Sequence, residues 1–244
     1  MDKKRNSVEF KVWGKYALFA DPITRVGGEK FSYQVPTYQA LKGIIESIYW
    51  KPTFIWYIDK VRVMNKIQTE SKGVKPIKMS GGNDLAFYTY LKEVEYQVLA
   101  HFEWNEYREN LQDDRNEHKH HNIAKRSIEK GGRRDVFLGT RECQGYAEPC
   151  VFGEDESFYD KYGALDFGVQ FHGYDYPDET GNNELAVRFW KAEMKDGVIK
   201  FPTPKECTMR RFIHEMTAKK FENNRNFSFI DSDLTVADLL AEDV

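Results

Sequence analysis

The periodic run between residues 38 and 49 constrains the fold most, because its spacing fits an α-helix and not a strand. Apolar residues recur there three and four positions apart, at Tyr38, Leu41, Ile44, Ile45, Ile48 and Tyr49. This spacing places them on one face of a helix. Pro36-Thr37 is a typical helix start, and Lys51-Pro52 ends the run. The chain is therefore predicted to contain one strongly amphipathic helix that must pack against other elements.

Segments rich in β-branched and aromatic residues flank this helix, and they predict strands at 8–19, 54–64, 96–104 and 135–139. The first of these is interpreted as a strand pair or as one bent strand interrupted by Gly14. A second, shorter and basic helix is predicted at 120–130. The resulting order β-α-β-β-α-β is that of a ferredoxin-like α+β domain, an arrangement that RNA-recognition modules use.

The second half of the chain has a different residue pattern. After Pro149, short aromatic strands alternate with turns and predict a small antiparallel sheet. We therefore predict a ferredoxin-like domain at 1–149, a small antiparallel β domain at 150–220 and an acidic C-terminal tail at 221–244. Residues 228–244 hold five acids and no base, and the tail is either a short docked helix or a mobile segment.

Length and composition exclude several classes of protein. At 244 residues the chain can bury a core without a metal or a disulfide. Cys143, Cys150 and Cys207 are odd in number and lack metal-ligand spacing, which indicates reduced, structural thiols. No run of about 18 apolar residues occurs, so a membrane-spanning helix and a membrane partner are not expected. We expect a soluble cytoplasmic protein.

A strongly basic stretch lies between Arg115 and Arg134, although the whole chain has a net charge of −3. It holds seven Lys and Arg, three His and only two Glu, a local excess of about five positive charges. Cationic side chains bind phosphodiester backbones, and imidazoles can move protons near neutral pH. The stretch therefore points to RNA or DNA chemistry. A solvated basic helix without such a role is the alternative interpretation.

Cleaving RNA without a metal requires a base, an acid and a cation that stabilises the charge on phosphorus. His120 can serve as base or acid, and Lys119 can place an ammonium on the phosphate. Tyr49, at the end of the first helix, is a second candidate base if a nearby cation lowers its pKa, although tyrosines at helix ends are more often core residues. These three residues would make the 1–149 domain the catalytic and RNA-binding one.

Metal and nucleotide sites are not indicated by the motifs. His118 and His121 are compatible with one helical turn, but no Cys or carboxylate pair completes a ligand set, so neither a metal nor another cofactor is predicted. The G-G-R-R-D run at 131–135 could present amides and guanidiniums to phosphates, but it lacks the G-x-x-x-x-G-K-[ST] pattern of nucleotide triphosphatases. We predict that RNA is bound by the cationic residues Arg115, Lys125, Arg126, Arg133, Arg134 and Arg141.

Four stretches together resemble one protein family. They are G-K-Y-A-L-F-A-D-P at 14–22, the run from G-G-E-K-F to I-Y-W-K-P at 27–52, G-G-R-R-D-V-F-L-G-T-R-E-C-Q-G-Y at 131–146 and Y-P-D-E-T-G at 176–181. On these residues the chain resembles the Cas-five family of CRISPR-associated proteins, in its subtype I-C branch. The resemblance covers nearly the whole chain except about the last 25 residues.

The resemblance implies a member of the repeat-associated RNA-binding superfamily, with a ferredoxin-like domain followed by a smaller β-rich domain. It also implies an endoribonuclease that cuts precursor CRISPR RNA within the repeat hairpin. The enzyme would then stay on the 5′ handle of the mature guide RNA, beside other CRISPR-associated subunits of the type I-C interference complex. The family's catalytic Tyr falls on Tyr49, and its Lys-His pair falls on Lys119 and His120.

Three points stay open from the sequence. Either Tyr49 or His120 could activate the ribose 2′-hydroxyl in a metal-independent reaction, which would leave 2′,3′-cyclic phosphate and 5′-hydroxyl ends. His118 and His121 flank the Lys-His pair, so a neighbouring imidazole could partly substitute for His120. The rival hypothesis is a scaffold that only binds the 5′ handle, and a weaker one adds nonspecific duplex DNA binding through the same charges.

Overall fold

The computed structural model describes residues 6–21 and 28–230. This part of the chain is an α+β protein with a mostly antiparallel sheet and few helices. Its helices are α1 Tyr38–Ile48, α2 Glu117–Glu129 and the single turn α3 Pro177–Thr180, with short 3₁₀ helices at Glu109–Asp114 and Pro204–Glu206. Its strands are β1 Ser7–Ala17, β2 Phe54–Val63, β3 Thr69–Val74, β4 Ala86–Trp104, β5 Val136–Phe137, β6 Gln144–Pro149, β7 Ala164–Asp175, β8 Glu184–Lys195, β9 Val198–Lys200 and β10 Met209–Glu215.

The strands of the described residues join in the order β10-β8-β9-β2-β4-β1-β6-β5, with β3 paired to β4 and β7 paired to β8. The long strand β4 is central, because it pairs with β1 on one side and with β2 on the other. The predicted interruption at Gly14 is wrong, since β1 runs through it as one strand. Glycine fits there because a Cβ would lie 2.7 Å from Leu138 Cδ1.

Helix α1 confirms the helix predicted from the periodic run. The Thr37 side chain accepts a hydrogen bond from Ala40 N at 3.2 Å and so caps the first turn. Leu41, Ile45 and Ile48 are fully buried and belong to the main core with the sheet residues. Removing each such side chain from water contributes about 1.5–3 kcal/mol, which holds the helix on the sheet.

Helix α2 begins three residues before the predicted start at His120, because Asn116 caps it. The Asn116 side chain accepts a hydrogen bond from Lys119 N at 3.1 Å. Ala124 and Ile128 on α2 are buried in the same core as α1, and the two helices also contact each other. The end of α1 and the start of α2 are therefore brought close together on one face of the sheet.

The sheet continues across the predicted domain boundary at residues 149 and 150. Strand β9 pairs with β2, for example Val61 with Ile199, and β8 pairs with β9. The division into two domains stays a prediction. Most of the predicted acidic tail, residues 231–244, lies outside the described residues. No helix in the described residues is long and apolar enough to span a membrane.

A glycine in the loop after β5 should be essential for packing. Gly139 has a φ of +96°, and a Cβ there would lie 2.0 Å from Leu18 O. We expect Gly139→Ala to lower the free energy of unfolding by roughly 3 kcal/mol, through strain and a backbone clash. Gly153 has a φ of +97° with no atom within 4 Å of such a Cβ, so Gly153→Ala should cost only about 1 kcal/mol. Urea unfolding of both variants tests this, and equal losses would contradict it.

Candidate active site

Tyr49 lies at the C-terminal end of α1, where the backbone leaves the helix. Its φ of −155° and ψ of 127° are extended, while its N–H still donates to Ile45 O at 2.9 Å. Its own carbonyl accepts a hydrogen bond from Trp56 Nε1 at 2.8 Å. These two bonds fix the backbone of Tyr49 between α1 and β2, so the position of its side chain is set by the packing of both elements.

His120 lies in the first turn of α2, and its imidazole reaches Tyr49. The His120 Nδ1 atom is 2.7 Å from Tyr49 Oη, although the two residues are 71 positions apart in the chain. The other ring nitrogen, Nε2, is 2.7 Å from the backbone oxygen of Asp114. His120 has no exposed surface and Tyr49 is 1% exposed. The structure therefore brings together two of the three predicted catalytic residues.

The contacts of His120 define which nitrogen carries the proton. A carbonyl oxygen only accepts hydrogen bonds, so Nε2 must donate to Asp114 O. In a neutral imidazole Nδ1 then has a free electron pair, which accepts the Tyr49 hydroxyl proton. The pair is therefore arranged to move a proton from the phenol to His120. An imidazolium formed in this way would have the Asp114 carboxylate 3.6 Å from Nε2.

Asp114 is a buried site residue that sequence analysis missed. Its carboxylate accepts hydrogen bonds from Thr53 Oγ1 at 2.5 Å and from Ile230 N. It has no exposed surface, and such a carboxylate is tolerated only when its oxygens are hydrogen-bonded. Asp113 and Asp114 stand side by side before the cap of α2, and nothing in the sequence distinguishes the exposed one from the buried one.

Lys119 precedes His120 on α2 and is half-buried. Its backbone N–H donates to the Asn116 side chain, and this hydrogen bond fixes Lys119 in the first turn of α2. Of the two flanking histidines, His118 is exposed, while His121 Nε2 lies 2.9 Å from Ser7 O at the start of β1. His121 is thus held against β1, whereas His120 is directed at Tyr49.

A groove of about 860 Å³ lies beside this pair, and Tyr49 is among its lining residues. Arg133 and Arg134 also line it. Arg133 N donates to Ile48 O at 3.1 Å, and its guanidinium carbon is 5.7 Å from the centre of the Tyr49 ring. The two arginines reach the end of α1 because Gly131 and Gly132, with φ of +80° and +110°, turn the chain sharply after α2.

The other predicted RNA-binding residues do not line this groove. Arg115 is half-buried, and its Nη2 donates to Asn105 O at 2.9 Å. Lys125 is exposed beside a separate cleft of about 210 Å³ at the start of β1. Arg126 is half-buried in the last turn of α2, and Arg141 is exposed in the loop between β5 and β6. Only Arg133 and Arg134 of the six predicted residues join Tyr49.

An acidic residue also lines the groove and was missed by sequence analysis. Burial raises the pKa of Glu46 to about 7, against the opposing effect of the Lys42 ammonium, whose Nζ is 3.9 Å from Glu46 Oε1. Nearby Glu179 and Asp178 raise this pKa further. The groove therefore gains a negative charge as the pH rises through neutrality. Among the described residues, no group of three or more His, Cys, Asp or Glu could hold a metal ion.

Comparison with known proteins places this chain in a family. A model described as "CRISPR-associated protein (Cas_Cas5)", of the Cas5d type, matches residues 7–202. The chain belongs to the Cas5 family. This match includes every residue of the Tyr49, Lys119 and His120 set and ends before the last 42 residues of the 244-residue Cas5 chain.

Individual relatives agree with the family match. The Cas5 chain is 29% identical over 228 residues to a protein of Mannheimia succiniciproducens named CRISPR pre-crRNA endoribonuclease Cas5d, covering 81% of this chain and 95% of the relative. It is 26% identical over 223 residues to a protein of the same name from Thermus thermophilus, covering 81% and 92%. A crystal structure titled as a CRISPR-associated protein superposes with a TM-score of 0.72 and 40% identity, covering 84% of this chain and 96% of that one.

The protonation of His120 in this Cas5 protein can be tested directly. We expect the neutral imidazole to carry its proton on Nε2, in both the wild type and Tyr49→Phe, because Asp114 O accepts a hydrogen bond from that nitrogen in either case. Nitrogen-15 NMR of the histidine rings, assigned with His120→Gln, reports the tautomer. A neutral ring with its proton on Nδ1 would contradict the proposed geometry.

Proposed function

We propose that this protein is an endoribonuclease that cuts precursor CRISPR RNA within the repeat hairpin. It then remains on the 5′ handle of the guide RNA as a subunit of a type I-C interference complex. The observation that carries the proposal is the 2.7 Å contact between Tyr49 Oη and His120 Nδ1 beside a groove lined by Arg133 and Arg134. The names of the Mannheimia and Thermus relatives support the same activity.

The reaction follows from the direction of the hydrogen bonds. The ribose 2′-oxygen attacks the adjacent phosphorus, and its proton passes to the Tyr49 oxygen while the phenol proton passes to His120 Nδ1. The bond from phosphorus to the 5′-oxygen breaks, and that oxygen takes a proton from water. The hydroxide so formed takes the proton from His120, which restores the pair. Lys119 stabilises the negative charge of the phosphorane. The products are a 2′,3′-cyclic phosphate and a 5′-hydroxyl, and the proposed reaction uses no metal.

The reaction requires a local rearrangement when RNA binds, because both members of the proposed proton-transfer pair are buried. Tyr49 and His120 are surrounded by the aromatic rings of Phe54, Phe102 and Trp104. A dry site of this kind strengthens the interaction of the pair with a developing charge. The phosphate reaches it only if neighbouring side chains move when RNA enters the groove. Arg133 and Arg134 hold the backbone there.

The arrangement of the first 149 residues is proposed to be ferredoxin-like. The order β1-α1-β2-β4-α2-β6 along the chain, with neighbours β2-β4-β1-β6 in the sheet, supports this. We propose residues 150–220 as a second, antiparallel domain, attached through the pairing of β9 with β2. The location is proposed to be the cytoplasm, where the partners would be guide RNA and other complex subunits.

The proposed nuclease is tested by incubating the purified protein with its own repeat RNA in EDTA. We expect one cut with a cyclic-phosphate end, and a loss of rate of at least about 100-fold in Tyr49→Phe, Lys119→Ala and His120→Ala. His121→Ala is the matched control, because His121 contacts Ser7 O and not Tyr49, and it should keep most of the activity.

Two results would overturn parts of this proposal. RNA that stays intact although the wild type binds it tightly would support the scaffold that only holds the 5′ handle. Cleavage of RNA with a 2′-deoxy nucleotide just upstream of the cut would exclude 2′-hydroxyl attack. Duplex DNA of equal length, added as competitor, measures how much of the binding is nonspecific charge attraction.

RNA affinity should also depend on pH through Glu46. With a pKa raised to about 7, Glu46 is mostly neutral at pH 6 and mostly charged at pH 8. We therefore expect binding to weaken by roughly threefold between these values, since the added negative charge repels phosphate. Glu46→Gln should remove this dependence, whereas the exposed control Glu156→Gln should retain it. Titrations use Tyr49→Phe protein to prevent cleavage, and an unchanged pH dependence in Glu46→Gln would contradict the assignment.

A further inference from the structure

The chain continues past the family match into a segment that returns to the candidate active site. We call residues 221–230 the C-terminal segment. The family model ends at residue 202, and the last described strand, β10, ends at Glu215. The C-terminal segment contains Arg225 and three asparagines but only one acid, Glu222. Its position beside the site does not follow from the features that define the family.

Apolar contacts hold the C-terminal segment on the protein. Phe221 and Phe227 are buried and form a small cluster with Leu111, from the 3₁₀ helix that precedes α2. The ring of Phe221 also lies 5.9 Å from the ring of Trp50, the residue after Tyr49. Removing these aromatic side chains from water fixes the segment next to the end of α1.

Polar contacts place the C-terminal segment at the site itself. Lys51 Nζ donates to Ser228 O at 2.7 Å, and the backbone N–H of Ile230 donates to the Asp114 carboxylate. Asp114 is the residue whose carbonyl holds His120. The segment is therefore attached on both sides of the proposed catalytic pair, through Lys51 in the connection after α1 and through Asp114 at the end of the 3₁₀ helix before α2.

The C-terminal segment also contributes residues to the groove that Tyr49 lines. Asn224, Arg225 and Asn226 line it together with Arg133 and Arg134. Guanidinium and amide groups donate hydrogen bonds to phosphate oxygens, and guanidiniums keep their charge at all relevant pH values. Arg225 is exposed and pairs with Glu222 at 2.7 Å. Such a surface pair is weak, so a phosphate can replace it readily.

From this arrangement we propose that the C-terminal segment is part of the RNA-binding groove and that Arg225 contacts the phosphodiester backbone of RNA near the cut. This inference rests on the proposed function, since it assigns the ligand of the same groove. Single-stranded RNA is favoured because the groove combines arginines from two distant parts of the chain next to the tyrosine proposed to react with RNA. The segment extends the site beyond the region that the family model matches.

The test measures RNA affinity in the full chain carrying Tyr49→Phe, so that cleavage does not interfere. Addition of Arg225→Ala should weaken binding of the repeat RNA about fivefold and reduce the slope of log affinity against log salt by about 0.7, the value for one phosphate contact on a single strand. Arg225→Lys should recover most of the affinity. Arg211→Ala removes an exposed arginine of β10 that does not line the groove, and it should bind like the parent.

A second variant distinguishes a C-terminal segment that binds RNA from one that only covers the site. Phe221→Ala with Phe227→Ala detaches the C-terminal segment, and we expect it to lose affinity as Arg225→Ala does. Unchanged affinity in Arg225→Ala would overturn the proposal. So would faster cleavage in the detached variant with unchanged binding, because the segment would then be an inhibitory cover. Failure of the wild type to cut RNA is a different result, which counts against the proposed function and leaves the affinity comparison intact.

Discussion

The buried imidazole of His120 is the interaction on which the arrangement of the site depends. A ring with no exposed surface must have both nitrogens hydrogen-bonded, or its burial would be strongly unfavourable. Here Tyr49 Oη and Asp114 O satisfy them at 2.7 Å each. The end of α1, the 3₁₀ helix before α2 and the first turn of α2 must therefore keep one relative position. The same requirement that stabilises the fold aligns a phenol and an imidazole for proton transfer.

Positive charge is concentrated at the groove, although the chain as a whole has a negative net charge. The net charge is −3, but glycine turns after α2 bring Arg133 and Arg134 beside Tyr49, and Lys51 lines the same groove. Glu46 opposes them only when it is ionised. Local geometry, and not overall composition, therefore sets the charge of this groove.

The site combines residues inside the region that the family model matches with residues beyond that region. Tyr49, Lys119 and His120 lie within the matched region, whereas the C-terminal segment lies beyond it. The backbone N–H of Ile230 nevertheless reaches the Asp114 carboxylate, so the segment and the proposed catalytic pair share a structural support. Substitutions in the segment can thus disturb this support without removing a member of the pair.

Sequence alone determined the local elements and the chemical candidates of this protein. The spacing of apolar residues predicted α1, and β-branched and aromatic runs predicted β1, β2 and the end of β4. The last strand of the ferredoxin-like order was predicted at 135–139, but only Val136–Phe137 is a strand there, and β6 Gln144–Pro149 is the strand that pairs with β1. Motif resemblance pointed to Tyr49, Lys119 and His120. These features are local, because a helix or strand leaves its period in consecutive residues. Gly14 was misinterpreted as an interruption because its cause, the close approach of Leu138, comes from another part of the chain.

Only the tertiary structure decided which of these residues meet. Tyr49 and His120 are 71 positions apart, and their contact depends on how both helices pack on the sheet. Burial of Asp114 and the raised pKa of Glu46 also depend on neighbours that are distant in sequence. Packing likewise directs Arg133 and Arg134 into the groove and Arg115 to Asn105 O. The residue types were readable from the chain, but their contacts, burial and electrostatics arise only when separate elements pack together.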